Sequence, residues 1–284
     1  MTNGLTLMAV HAHPDDEASS TGGVLAKYAA EGVTTVVVTC TNGEYGDGPG
    51  GIKPGEDGHD PAAVAETRRV ELDRAAELLG VTHLERLGYH DSGMREWPYK
   101  DEGHAFWSVP LDEAASRLAD LFDRYRPQVV VTYDENGGYG HPDHIQAHRI
   151  TMAAIERNPV PAKAYFTARR RRDLAKIREI LQAQGVELPT PPAPTTPPDP
   201  EREAEREAEL ERREARITTE IDVRDVVDRK RAALAAHGSQ LDNTWFLRFP
   251  PEAMSLVFAT ETFIRAHDTT GAPTPEDDLF AGLR

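Results

Sequence analysis

The stretch Leu5-Thr6-Leu7-Met8-Ala9-Val10-His11-Ala12-His13-Pro14-Asp15-Asp16-Glu17 decides the fold. A short apolar run that stops at a proline and three acids reads as a buried strand ending in a polar loop. Imidazoles and carboxylates are thereby delivered together at the carboxyl end of a strand, where open α/β sheets keep their ligands.

Outward from that stretch, Thr21-Gly22-Gly23 leads into Val24 to Ala30, whose apolar spacing suits a helix ending near Gly32, and Val33 to Thr39 is a second, β-branched strand. A strand, helix and strand in this order predict a parallel sheet with right-handed crossovers. The pattern continues. Ala62 to Leu79 reads as a helix closing at Gly80, and Val81 to Leu87 as a third strand ending in Gly88 to Met94. Leu111 to Tyr125 is a helix, and Pro127 to Tyr133 a fourth strand. It ends in a second chemical cluster, Asp134-Glu135-Asn136-Gly137-Gly138-Tyr139-Gly140-His141-Pro142-Asp143-His144. Ile145 to Arg157 and Leu174 to Gln184 are helical in pattern, with a short strand, Lys163 to Thr167, between them. Ile217 to Val227 reads as a strand running into a helix through His237, with Asp222 or Asp225 as its cap. Trp245 to Phe249 and Ala253 to Arg265 add apolar mass that completes the domain.

The fold class is therefore α/β: a Rossmann-like, mostly parallel sheet flanked by helices, in one domain. Residues 1–185 form the catalytic core and 217–267 complete it. Residues 186–216 hold seven prolines and then a Glu/Arg run, a composition of an extended linker and a solvated helix without chemistry of its own. Residues 268–284, acidic and bearing Pro and Gly, are expected to be loosely held. Two loops are long enough to matter to a cleft: Thr41 to Gly58, with seven glycines, and the aromatic segment Arg95 to Val109.

The net charge of −16, from 48 acids against 32 bases, disfavours a nucleic acid or an anionic membrane as partner. No apolar segment approaches the ~20 residues of a membrane span, and no basic leader precedes the first strand, so the sequence predicts a cytoplasmic protein, as a monomer or homo-oligomer. The single cysteine, Cys40, reads as a small buried hydrophobe.

His13 and Asp16 offer an imidazole nitrogen and a carboxylate oxygen from one loop, and His144 a second imidazole from another. Two histidines and a carboxylate with an open fourth position are the donor set of hydrolytic zinc, although Fe²⁺ or Co²⁺ suits the same donors. Asp15 is then left to face the water as a general base. His141 and Asp143 share a turn with His144. A histidine held by an aspartate is biased toward the imidazolium that stabilises an oxyanion or protonates a leaving amine, and Tyr139 adds a donor there. His11 reads as a supporting or core residue, and Glu17 as a brace for the loop or a helix start. His59, His83, His90, His104, His148, His237 and His267 lack a comparable setting.

His13-Pro14-Asp15-Asp16-Glu17 and Gly140-His141-Pro142-Asp143-His144 closely resemble the two signature motifs of the LmbE-like, or PIG-L, family of zinc-dependent N-deacetylases. Its actinobacterial members include the deacetylase and the S-conjugate amidase of mycothiol metabolism. The resemblance implies zinc ligands His13, Asp16 and His144, and Asp15 as general base. It further implies His141 as electrophile, Asp143 as its orienting partner, Tyr139 as a mobile tyrosine, and Arg68 and Asp91 as contacts to a sugar-inositol substrate. Ser20 stands near the position where the amidase has a lysine. The loop after Gly43, the segment around Trp97 and Trp107 and the charged insertion depart from both members and leave the substrate open. The expected activity is hydrolysis of an N-acetyl group on an amino sugar or sugar-inositol conjugate. Cleavage of a larger amide, as in S-conjugate detoxification, is the alternative. A non-catalytic, metal-stabilised ligand-binding module is a third reading, weakened because the first turn has no G-x-G-x-x-G and offers acids where a pyrophosphate would lie.

Overall fold

The computed structural model describes residues 4–170, 179–183, 185, 199–240, 249 and 258–284. Of the predicted helix Leu174 to Gln184, residues 179–183 are helical. The rest of that prediction lies outside the described residues, as do those for the proline-rich stretch 186–198 and for residues 245–257 other than Phe249.

Strand β1 (Thr6–His11) is buried along its whole length, and its side chains alternate between two cores. Leu7 and Ala9 pack with Val24, Tyr28 and Leu234 on one face, while Met8 and Val10 pack with Leu118, Phe122 and Ile150 on the other. A strand covered on both faces needs apolar residues at every position, which is why the opening run does not alternate. Seven strands follow the order β3-β2-β1-β4-β5-β7-β6. β2 (Thr34–Thr41), β3 (His83–Tyr89), β4 (Val129–Thr132) and β5 (Lys163–Ala168) join β1 in the parallel part. β7 (Thr260–Asp268) runs antiparallel to β5, and β6 (Thr219–Asp222) antiparallel to β7. β1 thus lies between β2 and β4, so the chain leaves it in two directions and a crevice opens at its carboxyl end.

Local chemistry sets the helix ends. α1 (Asp16–Ser20) and α2 (Gly22–Ala30) follow β1 directly. α3 (Pro61–Leu79) starts where the Asp60 carboxylate accepts from the backbone of Ala62 and Ala63, with Pro61 in the first turn, and stops at Gly80, whose φ of 75° suits a residue without a Cβ. α4 (Leu111–Tyr125) and α6 (Pro142–Arg157) pack together on the opposite face, and α5 is the single turn Gly137–Gly140. α7 (Pro200–Ala215) and α8 (Val227–Ala236) complete the helices among the described residues.

Two expectations need correction and one an addition. Neither Asp222 nor Asp225 caps α8: Val226 occupies the cap, and Asp222 instead accepts from the Arg224 backbone. α7 is solvated as read, with no buried residue among those whose burial is described and Arg212 paired with Glu209 at 2.7 Å, but its end is anchored. Arg213 reaches across to the carbonyl of Gly138 (2.7 Å) and to the buried Asp134 carboxylate, and Arg216 grips Glu135 (2.5 Å). The tail is not loose either. Leu279 and Phe280 are fully buried in the core of Leu7 and Tyr28, and Asp278 accepts from the Tyr28 hydroxyl at 2.9 Å. Glu276 is buried too, pairing with Lys163 and accepting from Tyr165 (2.8 Å). Acids that composition assigns to water serve here as acceptors for buried donors.

Candidate active site

Three loops meet in the crevice, after β1, β3 and β4. The first carries His13, Asp15 and Asp16, the second Asp91 and Ser92, the third Tyr139, His141, Asp143 and His144. All except Asp15, which is half-buried, and Tyr139 are buried. Nitrogens of His13, His141 and His144 lie within 4.8 Å of one another, and an overlapping set of the same closeness holds His13, Asp91, His141 and Asp143.

His144 has an ordered tautomer. Its Nδ1 donates to the Gly137 carbonyl at 3.1 Å, so Nε2 presents a lone pair, and that atom is buried without a hydrogen-bond partner. Burial pushes this imidazole down to about 4, against the pull of Asp16, so the ring is neutral near pH 7. Asp16 Oδ2 faces the same Nε2 at 3.5 Å and lies 3.4 Å from His13 Nδ1. Burial disfavours the Asp16 carboxylate, yet His144 and His13 hold it well below its usual range. Burial likewise opposes charge on His13, and the carboxylates of Asp91, Asp143 and Asp16 overcome it, raising its pKa well above the ordinary value. Two acceptors facing each other at 3.5 Å repel unless something positive joins them. Ligand atoms about 2.0–2.2 Å from one tetrahedral ion are about 3.3–3.6 Å apart. Asp16 and His144 are thus spaced as two ligands of one divalent ion, and His13 Nδ1 stands at the matching distance from Asp16.

The neighbouring acid, Asp15, points elsewhere because its backbone has φ 119°, a conformation that L residues rarely adopt. Its carboxylate lies 3.3 Å from Arg68 Nη2. Burial pushes the Asp15 carboxyl up to about 6, with Arg68 restraining the rise. Arg68 is buried and donates to the carbonyls of Pro14 (2.5 Å) and Gly43 (2.8 Å). It therefore braces the loop and does not reach outward to a sugar-inositol group. Gly43 and Gly46 make its slot: a Cβ on either would stand 2.6 or 2.5 Å from Arg68 Nη1.

The expected role of Asp143 is also overturned. His141 is the N-cap of α6, and its Nδ1 accepts the Asp143 backbone N–H at 3.1 Å, while the Asp143 carboxylate turns away. It accepts from the Ser92 backbone (2.9 Å) and hydroxyl, and lies 3.2 Å from His13 Nε2. Asp143 thus orients His13 and the β3 loop. Burial, together with the charges of His13 and His144, takes His141 down to about 2, so it is a neutral ring with its proton on Nε2. Asp91 accepts from Gly93 (2.7 Å) and sits buried beside the ligand cluster, 3.7 Å from His13 Nε2. Tyr139 is 67% exposed, with its ring edge over His144 and His141, at 5.0 and 6.0 Å.

Several residues of the site carry no sequence signal of their own. Tyr133 stacks on His144 at 4.2 Å and accepts the Ala12 backbone N–H at 2.9 Å. Ser92 holds Asp143. His237 pairs with Glu17 at 2.7 Å, although nothing near it in the chain suggests a site. His11 fills the supporting role read for it, bonding the Thr21 hydroxyl at 2.8 Å.

An α/β sheet that brings imidazoles and carboxylates together at the switch point beside β1 defines a hydrolase site of the metal-binding kind. The chain belongs to the PIG-L family: the family's sequence model, described as GlcNAc-PI de-N-acetylase, matches residues 8–155. It is a hydrolytic enzyme acting on amide bonds, and the non-catalytic reading falls away. It is 40% identical over 304 aligned positions to a mycothiol S-conjugate amidase of Streptomyces coelicolor, covering 100% of this chain and 99% of that one. It is equally 40% identical over 289 positions to a 1D-myo-inositol 2-acetamido-2-deoxy-alpha-D-glucopyranoside deacetylase of Acidothermus cellulolyticus, covering 98% and 95%. Its fold matches that of N,N'-diacetylchitobiose deacetylase from Pyrococcus horikoshii with a TM-score of 0.60 at 17% identity, over 93% of this chain and 84% of that one. Among the described residues no helix is long and apolar enough to cross a membrane.

Proposed function

We propose that this enzyme is a zinc-dependent deacetylase that removes the N-acetyl group from an amino-sugar conjugate of the N-acetylglucosaminyl-inositol class. The observation that carries the reading is the unpartnered His144 Nε2 facing Asp16 Oδ2, with Asp15 turned away beside them. His13, Asp16 and His144 would hold a divalent ion, which when bound would supply a water of lowered pKa and an electrophile for the amide carbonyl. Asp15, oriented by Arg68, takes the proton of the attacking water and returns it to the departing amine nitrogen. His141 donates its Nε2 proton as a hydrogen bond to the carbonyl oxygen as charge develops there, with Tyr139 able to add a second. Asp91 supplies an acceptor for a sugar hydroxyl. The acidic composition suits a cytoplasmic enzyme of small molecules.

The test is metal content by elemental analysis of the wild type and of His144→Ala, with acetate release from N-acetylglucosaminyl-inositol. One zinc per chain, lost in the variant, with acetate formed, is expected. No bound metal after zinc is supplied would overturn the reading.

A second reading, cleavage of a thiol conjugate, is favoured by the aromatic groups that the two long loops bring together. Tyr45 stacks on Tyr99 at 4.0 Å, and Trp97 meets Tyr99 edge-on. Faster turnover of an S-conjugate than of the inositol glycoside would select it.

A further inference from the structure

We infer that the buried pair Glu17–His237 is a positioning device that holds Asp15 in its catalytic orientation; the inference rests on the reading of Asp15 as the base. The strained backbone of Asp15 needs something to over-determine it, because φ 119° persists in an L residue only where the surroundings impose it. The Asp15 N–H donates to Glu17 Oε2 at 3.0 Å. The other oxygen of that carboxylate, Oε1, is 2.7 Å from His237 Nε2. Glu17 has no exposed surface and His237 has 1%, so no solvent competes for either group. A carboxylate so enclosed keeps one orientation only while both of its oxygens are bonded. Its two partners here are the backbone of Asp15 and a ring 220 residues away.

His237 is itself anchored. It stands at the end of α8, which packs against α3 and α2, and its backbone N–H donates to the Leu234 carbonyl at 3.3 Å. Its own carbonyl accepts from Gln240, whose side chain exchanges hydrogen bonds with the backbone of Asp47, both at 3.3 Å. The turn His237–Gln240 therefore reaches the Asp15 loop and the glycine-rich loop together. Arg68 completes the grip from the other side, holding the Pro14 carbonyl and the Asp15 carboxylate. Asp15 is thus fixed by its main chain through Glu17 and His237, and by its side chain through Arg68. None of these partners belongs to the metal cluster, so the orientation of the base and the affinity for metal are separable.

The experiment measures kcat, KM and zinc per chain for the holoenzyme and for His237→Leu, His237→Gln, Glu17→Gln/His237→Leu and Asp15→Ala, with the N-acetyl substrate. A displacement of about 1 Å in a reacting group lowers turnover roughly a hundredfold. His237→Leu is expected to lower kcat by that order, with KM and zinc content unchanged. His237→Gln, whose amide can still donate to Glu17, should recover at least tenfold of that loss, a rescue that mere filling of space would not produce. Where His237→Leu alone does not fold, the double variant removes the carboxylate charge together with its partner, and the same loss of kcat is expected. In an Asp15→Ala background, His237→Leu should add no further loss to the residual rate. Wild-type kcat in His237→Leu or in the double variant overturns the inference. Equal loss in the Leu and Gln variants, zinc lost together with activity, or a full further loss without Asp15 would also overturn it. Undiminished turnover of Asp15→Ala itself would instead remove the reading of Asp15 as base, on which the inference stands.

Discussion

Arg68→Met separates two roles for one arginine. Methionine keeps most of the aliphatic stem and removes the donors. The Pro14 carbonyl then lies buried with no partner among the described residues, at about 1–3 kcal/mol, and the Gly43 carbonyl keeps its bond from Gly46 but loses its second, at about 1 kcal/mol. Asp15 also loses its ion pair, and with a carboxyl already near 6 it can take up a proton, which limits that penalty at pH 7 to about 1.4 kcal/mol. The sum is about 2–5 kcal/mol, or a fall in Tm of roughly 3–9 °C for a domain of this size. Thermal unfolding by circular dichroism, run beside initial rates, should show this fall together with a kcat loss of at least tenfold and little change in KM. An unchanged Tm with a raised KM would refute the reasoning and return Arg68 to the substrate.

Asp15→Ala should keep its zinc and lose about 10²–10⁴ in turnover, the usual weight of a general base; loss of zinc would make Asp15 a ligand. Phe280→Ala removes a fully buried ring lying edge-on to Tyr28 at 5.2 Å, and urea unfolding should show a loss of about 3–5 kcal/mol; under 1 kcal/mol would mean that the tail is not part of the core. Burial opposes the Asp278 carboxylate, but Arg284, the Phe280 backbone and the Tyr28 hydroxyl hold its pKa below the usual range. A depressed carboxyl stabilises the fold above about pH 4 and stops doing so as pH falls through its folded value. The stability gap between wild type and Asp278→Asn, about 1 kcal/mol, should therefore be level from pH 5 to 8 and close below pH 4; a gap that widens in acid would contradict the pairing.

The centre of the parallel half was legible because β1, β2 and β4 are buried on both faces and because Pro61 and Gly80 punctuate α3. Strand ends came within about two residues, since pairing with neighbours, invisible to a single sequence, decides where a strand stops. That His13 and Asp16 follow β1 directly was readable; His144 stands in the first turn of α6, twelve residues beyond Thr132, and that β1 and β4 are neighbours follows only from the crossover. The buried place of Arg68 is not legible in its own segment, because hydropathy cannot register a slot cut by Gly43 and Gly46 in another. The direction of the Asp143 carboxylate depends on His141 capping α6, a matter of one rotamer. His237 was passed over because its partner is 220 residues away. The tail misled because a carboxylate accepting from a buried tyrosine or lysine has the same composition as one in water.

The tail also bears on how this chain is made. The Leu279 backbone donates to the Tyr28 hydroxyl across 251 positions, and Phe280 closes the core that Leu7 opens. Contacts of such long range slow folding. At about 5–20 residues per second, roughly 12–50 seconds separate synthesis of Tyr28 from that of its partners. During that interval the apolar face of β1 and α2 lacks the last of its cover, Leu279 and Phe280, so a nascent chain stalled before residue 279 would be a good client for a chaperone and a poor candidate for release.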